Sequence, residues 1–139
     1  YSLFKDMNQL IEDKKEFKLL FLDLDKLKLV NDTFGHNKGD EYLIHFATTL
    51  VEHTKGQGTA YRFAGDEFVC ILIDGSKSID IKHFEQAINK GMNTAFQFNG
   101  VSIGESEYPN DGDNPDILLH VADSKMYGVK KSKKIRAIK

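Results

Sequence analysis

Apolar residues recur in two rhythms along this chain. Leu3, Phe4, Met7, Leu10 and Ile11 follow helical spacing, so the first dozen residues predict an amphipathic helix. The nearly continuous apolar run FKLLFLDL, residues 17–24, predicts a strand buried at the centre of a sheet, and it closes on Asp23-Leu24-Asp25. A short helix follows, with Asp25 as its cap and Gly35 as its stop. GHNKGDE, residues 35–41, reads as a turn. A longer helix over 40–53 then carries Leu43, Phe46, Ala47, Leu50 and Val51 on one face. In YRFAGDEFVCIL, residues 61–72, two strand-forming runs flank Ala-Gly-Asp-Glu, the pattern of a β-hairpin. DGSKSI, residues 74–79, is a loop, and 81–90 is a helix with Phe84, Ala87 and Ile88 inward. AFQFNGVSI, residues 95–103, predicts one or two strands with a turn at Asn99-Gly100. YPNDGDNPD, residues 108–116, is a loop by composition. Pro115 suits the first turn of a last helix bearing Ile117, Leu118, Val121, Ala122, Met126 and Val129. The tail is basic, and its end, IRAI at 135–138, reads as an edge strand. Helices interleaved with two apparent hairpins predict an α+β domain, a mixed or mostly antiparallel sheet surrounded by helices.

Composition narrows the class. The chain of 139 residues suits one domain, 1–139. A hydrophobic share of 40% and only two prolines argue against disorder. The 19 basic and 21 acidic residues leave a net charge of -2, which argues against a general nucleic-acid binder but leaves room for a nucleotide site. Cys70 is the one cysteine, so an internal disulfide is excluded, and its place in FVCIL predicts a buried thiol. That fits a reducing cytoplasm. No apolar stretch reaches membrane-spanning length, and nothing reads as a signal peptide. A helical pattern is already running at Tyr1, so the chain is expected to be the C-terminal part of a longer protein.

The acids carry the chemistry. Asp23 and Asp25 close the buried strand, and their side chains are expected to diverge: one faces a site, while the other caps the next helix or pairs with a cation. Asp66 and Glu67 sit side by side at the hairpin tip, as a solvated turn or as a second acidic cluster. If the hairpin lies beside the 17–24 strand, the two clusters meet at one edge of the sheet. Converging carboxylates repel unless a cation sits between them. Oxygen ligands suit Mg²⁺, which also binds substrate phosphates. Lys28 lies one short turn past the strand end, and Lys130, Lys131, Lys133 and Lys134 follow the last helix. These lysines either form a solvated face or return over the same sheet edge to meet phosphate. Asn31 and Asp40 flank a glycine-bearing loop, either as helix caps or as readers of a guanine edge. The five histidines show no metal-ligand spacing, and no histidine–acid–nucleophile order argues for a hydrolase.

The stretch FLDLDKLKLVNDTFGHNKGDEYL, then YRFAGDEFVCIL, VSIGES, YPNDGDN and ADSKMYGVKKSKK, resembles the GGDEF family of diguanylate cyclases block by block and in order. The resemblance covers about residues 21–134. It implies a fold like the palm of polymerases and class III nucleotide cyclases. It also implies condensation of two GTP into cyclic di-GMP with release of two pyrophosphates. Asp23 matches the first metal-binding acid, helped by the carbonyl of Leu24, and Asp66 matches the second. Glu67 matches the neighbouring signature acid, as base or as ligand. Asn31 and Asp40 match the guanine-reading positions. Lys28, Lys130 and Lys134 match the phosphate-binding positions, and Gly65 supplies the bend beside the substrate. The implied cofactor is Mg²⁺ or Mn²⁺, two ions per GTP. The implied partners are GTP and a second copy of the chain, with no nucleic acid and no direct membrane contact. The implied setting is the cytoplasm, as the output domain of a multidomain or membrane-bound sensor.

Three departures qualify the match. The signature's first glycine is Ala64, which is harmless only if that position keeps a negative φ. Lys55-Gly56-Gln57-Gly58 stands where many relatives carry an inhibitory RxxD motif, so inhibition by product through that segment is not expected. The family's usual opening block is missing ahead of Tyr1. The alternative reading is a catalytically inactive domain of the same fold that binds GTP or a dinucleotide and regulates a partner.

Overall fold

The computed structural model describes residues 2–73, 80–93 and 98–138. The elements run α1 (Ser2–Glu12), β1 (Phe17–Leu24), α2 (Leu27–Phe34), α3 (His36–Thr54), β2 (Gly58–Ala64), β3 (Glu67–Leu72), α4 (Ile81–Met92), β4 (Val101–Tyr108) and α5 (Pro115–Ile138). The four strands form one sheet in the order β2-β3-β1-β4, with every neighbouring pair antiparallel.

β1 is flanked on both sides and buried on both faces, which is why its sequence is nearly all apolar. Its side chains alternate between two cores. Leu20, Leu22 and Leu24 join Phe68, Cys70 and Leu72 of β3 beneath α3 and α4, where Tyr42, Phe46, Leu50, Phe84 and Ile88 close the layer. Phe17, Leu19 and Phe21 join Val69 and Ile71 beneath α1 and α5, with Leu3, Met7, Leu118, Ala122 and Met126. The period-two alternation of a strand therefore puts Asp23 and Glu67 on the α5 face. Cys70 is fully buried, and burial pushes its thiol up to about 12, as befits an inert core residue.

Several element boundaries differ from the sequence expectation. The stretch 35–41 is not a turn: α3 begins at His36, set off from α2 by Gly35 at a φ of 91°. Gly39 marks no break, being packed in the first turn of α3 against Asn31. Val51, expected to face inward, is half exposed, and Thr49 and Thr54 are buried in its stead. Asp25 does not cap α2; the cap position belongs to Lys26, in the left-handed region at a φ of 58°, with no side-chain cap bond. β4 starts just after Asn99-Gly100, at Val101. The strand expected over 95–97 and the loop over 74–79 lie outside the described residues. The tail is not an edge strand: α5 continues without a break to Ile138. Residues 130–138 contain neither glycine nor proline, and their lysines and arginine are good helix formers.

Candidate active site

The hairpin and the central strand meet as the acids require. Asp23 lies opposite Glu67 in the β1–β3 register, and the backbone N–H of Leu24 donates to the carbonyl of Asp66 at 3.4 Å. The turn carrying Asp66 is made by Gly65, at a φ of 45°, a conformation few other residues adopt. Arg62 holds that turn, its Nε and Nη2 donating to the Gly65 carbonyl at 3.0 and 2.7 Å. Ala64 is not among the described residues of positive φ, so its methyl group costs no backbone strain.

Asp66 lies close enough to Asp23 to bear on its ionisation. Burial chiefly raises the Asp23 pKa above the usual carboxylate value; Lys130 opposes the rise and the neighbouring Asp66 adds to it. Asp23 Oδ1 is buried without a hydrogen-bond partner. Glu67 is raised too, first by burial and then by the charges of Asp23, Asp123 and Asp66. An orphaned carboxylate oxygen, crowded by further acids, is a receptor for a cation. Among the described residues no three His, Cys, Asp or Glu side chains are arranged to cage a metal by themselves. The donors present are two carboxylates and the Leu24 carbonyl. That set fits Mg²⁺ or Mn²⁺, hard cations that draw remaining ligands from water and phosphate.

The basic residues arrive from α5. Lys130 Nζ lies 3.0 Å from Asp23 Oδ2 and donates to the Leu24 carbonyl at 3.2 Å. Lys133 Nζ, one turn on, lies 2.6 Å from Asp25 Oδ2 and donates to the Val101 carbonyl at 2.8 Å. Asp25 also accepts from Ser102 Oγ at 2.7 Å. Asp23 and Asp25 do not diverge as expected: Lys130 reaches both, lying 4.0 Å from Asp25 Oδ1. Residues two apart return to the same side of an extended chain. Beside these pairs opens a cavity of about 380 Å³ lined by Asp25, Lys26, Gly100, Lys130, Lys133 and Lys134.

Lys28 is exposed on α2, clear of the lining of that cavity. Asn31, half-buried on α2, packs against Gly39, next in sequence to the exposed Asp40 of α3. Reasoning from sequence passed over Lys26 and Asp123, and gave Lys133 no separate part. The signal for Lys133 was its spacing of three from Lys130, which shares a helix face; it was hidden by reading the tail as a strand. In the 55–58 segment, Gly58 lies against β3 so closely that a Cβ there would stand 1.8 Å from the Ile71 carbonyl. An aspartate at that position would therefore require the backbone to shift.

A family profile described as "Diguanylate cyclase, GGDEF domain" matches residues 2–136. The chain is a GGDEF domain. Among curated relatives, this GGDEF domain is 35% identical to the bifunctional diguanylate cyclase/cyclic di-GMP phosphodiesterase MucR of Pseudomonas aeruginosa, across 89% of this chain and 19% of that protein. It is 31% identical to the diguanylate cyclase DgcP of Escherichia coli, across 96% of this chain and 39% of that protein. It thus spans well under half the length of either. Among solved structures, the GGDEF domain of TpbB from Pseudomonas aeruginosa superposes with a TM-score of 0.78 at 29% identity, covering 94% of this chain and 80% of that one. That likeness agrees with the observed antiparallel sheet and its flanking helices.

Proposed function

We propose that this GGDEF domain is a diguanylate cyclase, joining two GTP into cyclic di-GMP with release of two pyrophosphates. The observation that carries the reading is the meeting of Asp23 and Asp66 across β1 and the hairpin, with Asp23 Oδ1 left without a partner. A degenerate binding domain has no need to keep that pair beside a lysine-lined cavity.

Asp23, the Leu24 carbonyl and Asp66 hold the divalent cations, two per GTP. When bound, such cations lower the pKa of an attacking hydroxyl and offset charge on a leaving pyrophosphate. Lys130 and Lys134 receive the triphosphate in the cavity, and Lys28 adds charge from α2. Lysine at 134 supplies a point charge without the planar fork of arginine. Asn31 and Asp40 read the guanine edge, Asp40 accepting from its ring N–H and amino group. Gly65 lets the chain turn close beside the substrate. Glu67, whose pKa is raised, takes the proton of the 3′-hydroxyl. In each half-reaction a 3′-oxygen bonds to the other nucleotide's α-phosphorus, and the bond to the pyrophosphate oxygen breaks. Because one domain binds one GTP, two domains face each other as an antiparallel homodimer. GTP as substrate puts the reaction in the cytoplasm, as the output domain of a longer sensor protein. No helix among the described residues is long and apolar enough to cross a membrane.

The test is product identification. The purified chain, fused to a dimerising segment, is incubated with GTP and Mn²⁺, and the mixture is analysed by mass spectrometry. Cyclic di-GMP is the expected product. GTP bound but unchanged at high protein concentration would favour a binding module instead.

A further inference from the structure

We propose that Lys130 is a built-in substitute for the divalent cation: its ammonium holds the donor pair of Asp23 and Leu24 until a triphosphate draws it away. The inference rests on the reading of Asp23, Leu24 and Asp66 as the cation donors.

The Lys130 ammonium lies 3.0 Å from Asp23 Oδ2 and 3.2 Å from the Leu24 carbonyl oxygen. These are two of the three groups to which the metal is assigned. One pair of oxygens cannot serve an ammonium and a divalent ion at once, and the two positive charges repel at such range. The lysine must leave for the cation to occupy that pair.

It has somewhere to go. Its side chain is 26% exposed and borders the cavity shared with Lys26, Lys133 and Lys134. Phosphate oxygens in that cavity would offer the ammonium a new anionic partner. Its departure would not strand Asp25, which keeps Lys133 at 2.6 Å and Ser102 Oγ at 2.7 Å. Lys133 is thus the fixed clamp, tied to Asp25 and to the Val101 carbonyl, and Lys130 is the arm that moves. Nor does the ammonium satisfy the site, since Asp23 Oδ1 is left bare. The consequence is linkage: the nucleotide-free chain binds divalent cations weakly, and triphosphate binding frees their donors.

The experiment measures Mn²⁺ affinity of the nucleotide-free chain by electron paramagnetic resonance. Lys130→Met is expected to bind Mn²⁺ roughly tenfold more tightly than the native chain, within the usual range of site-to-site coupling. Lys130→Arg, which keeps the charge, should stay weak. Lys134→Met, which removes the same charge from the same helix, should tighten binding by less than half as much. An unchanged affinity in Lys130→Met, or an equal gain in Lys134→Met, would overturn the proposal. In the native chain, Mg²⁺ should also shift the Lys130 ¹⁵Nζ resonance; a resonance that stays put while Mg²⁺ saturates would overturn it without recourse to any variant. If Asp23→Asn and Asp66→Asn bind Mn²⁺ as well as the native chain does, the fault lies instead in the assignment of the donors.

Discussion

Glu67 faces Asp23 across the β1–β3 ladder, and Asp66 and Asp123 add to the negative field around it. Both Asp23 and Glu67 have raised pKa values in the fold, so the fold favours their protonated forms. Their contribution to stability is present at pH values below the ordinary carboxylate range and is lost as pH rises through the raised values. At neutral pH the metal-free site therefore works against folding. Glu67→Gln removes one of two like charges directly opposed on a ladder, an effect of roughly 0.2–1 kcal/mol. In chelator at pH 7 it should raise the Tm by roughly 1–4 °C, with a smaller gain at pH 4; circular dichroism melts at the two pH values check this, and a lower Tm at pH 7 would refute it. A Cβ at Gly39 would stand 1.6 Å from Asn31 Oδ1, a movable side-chain atom. Gly39→Ala should displace the Asn31 amide and raise the KM for GTP roughly tenfold, the worth of one lost hydrogen bond, while leaving the melting curve nearly unchanged. Steady-state kinetics beside a thermal melt separate the two effects. The pairing of Asp23 with the hairpin was legible in the sequence, because a buried strand ending in acids and a hairpin with acids at its tip have few ways to pack. Asp123 was not legible, because only the packing of α5 against the sheet brings it toward Glu67.

α5 delivers Lys130 and Lys133 to the site, and its seat on the sheet is set by one small residue of β4. A Cβ at Gly104 would come within 2.1 Å of the Ala122 carbonyl and 2.3 Å of the Met126 nitrogen, backbone atoms that cannot rotate aside. The helix lies directly on the strand there, and any side chain would push it off. Gly104→Ala should destabilise the chain by about 1–3 kcal/mol, as overpacking of a tight core does, and should lower activity further by shifting Lys130 and Lys134 in the cavity proposed to receive the triphosphate. Urea denaturation gives the first effect, and activity at a fixed folded fraction gives the second. Elements whose pattern was strong were legible: α1, β1, the β2–β3 hairpin and α4 fall where apolar spacing puts them. The misreadings arose where local signals were ambiguous. Glycines at 35 and 39 read alike as turn residues, yet Gly35 separates two helices while Gly39 makes room for Asn31 within one. The β-branched ends of the last four residues suggested a strand, but no turn signal separates them from the helix before them.

For the whole molecule, the proposed chemistry needs more than one chain. The cavity beside Asp25 and Lys130 is proposed to take one GTP per domain, whereas the proposed product contains two nucleotides. The specific rate of cyclic di-GMP formation should therefore rise with protein concentration until a dimer saturates; a specific rate independent of dilution would show that dissociation never limits turnover. Product should not act through residues 55–58. Lys55 follows α3 and Gly58 is wedged against Ile71, so the acid of an RxxD site has no room there. Added cyclic di-GMP should leave the initial rate unchanged, and inhibition relieved by Lys55→Ala would contradict that. The most direct test of the whole account is the turnover of Asp23→Asn and Asp66→Asn at saturating GTP and Mn²⁺, each compared with the native chain. If the two acids jointly hold the cation, each variant loses cyclic di-GMP formation by roughly 10³-fold, the loss of several kcal/mol of charge stabilisation, while melting no lower than the native chain. Near-native turnover in either variant would contradict the account.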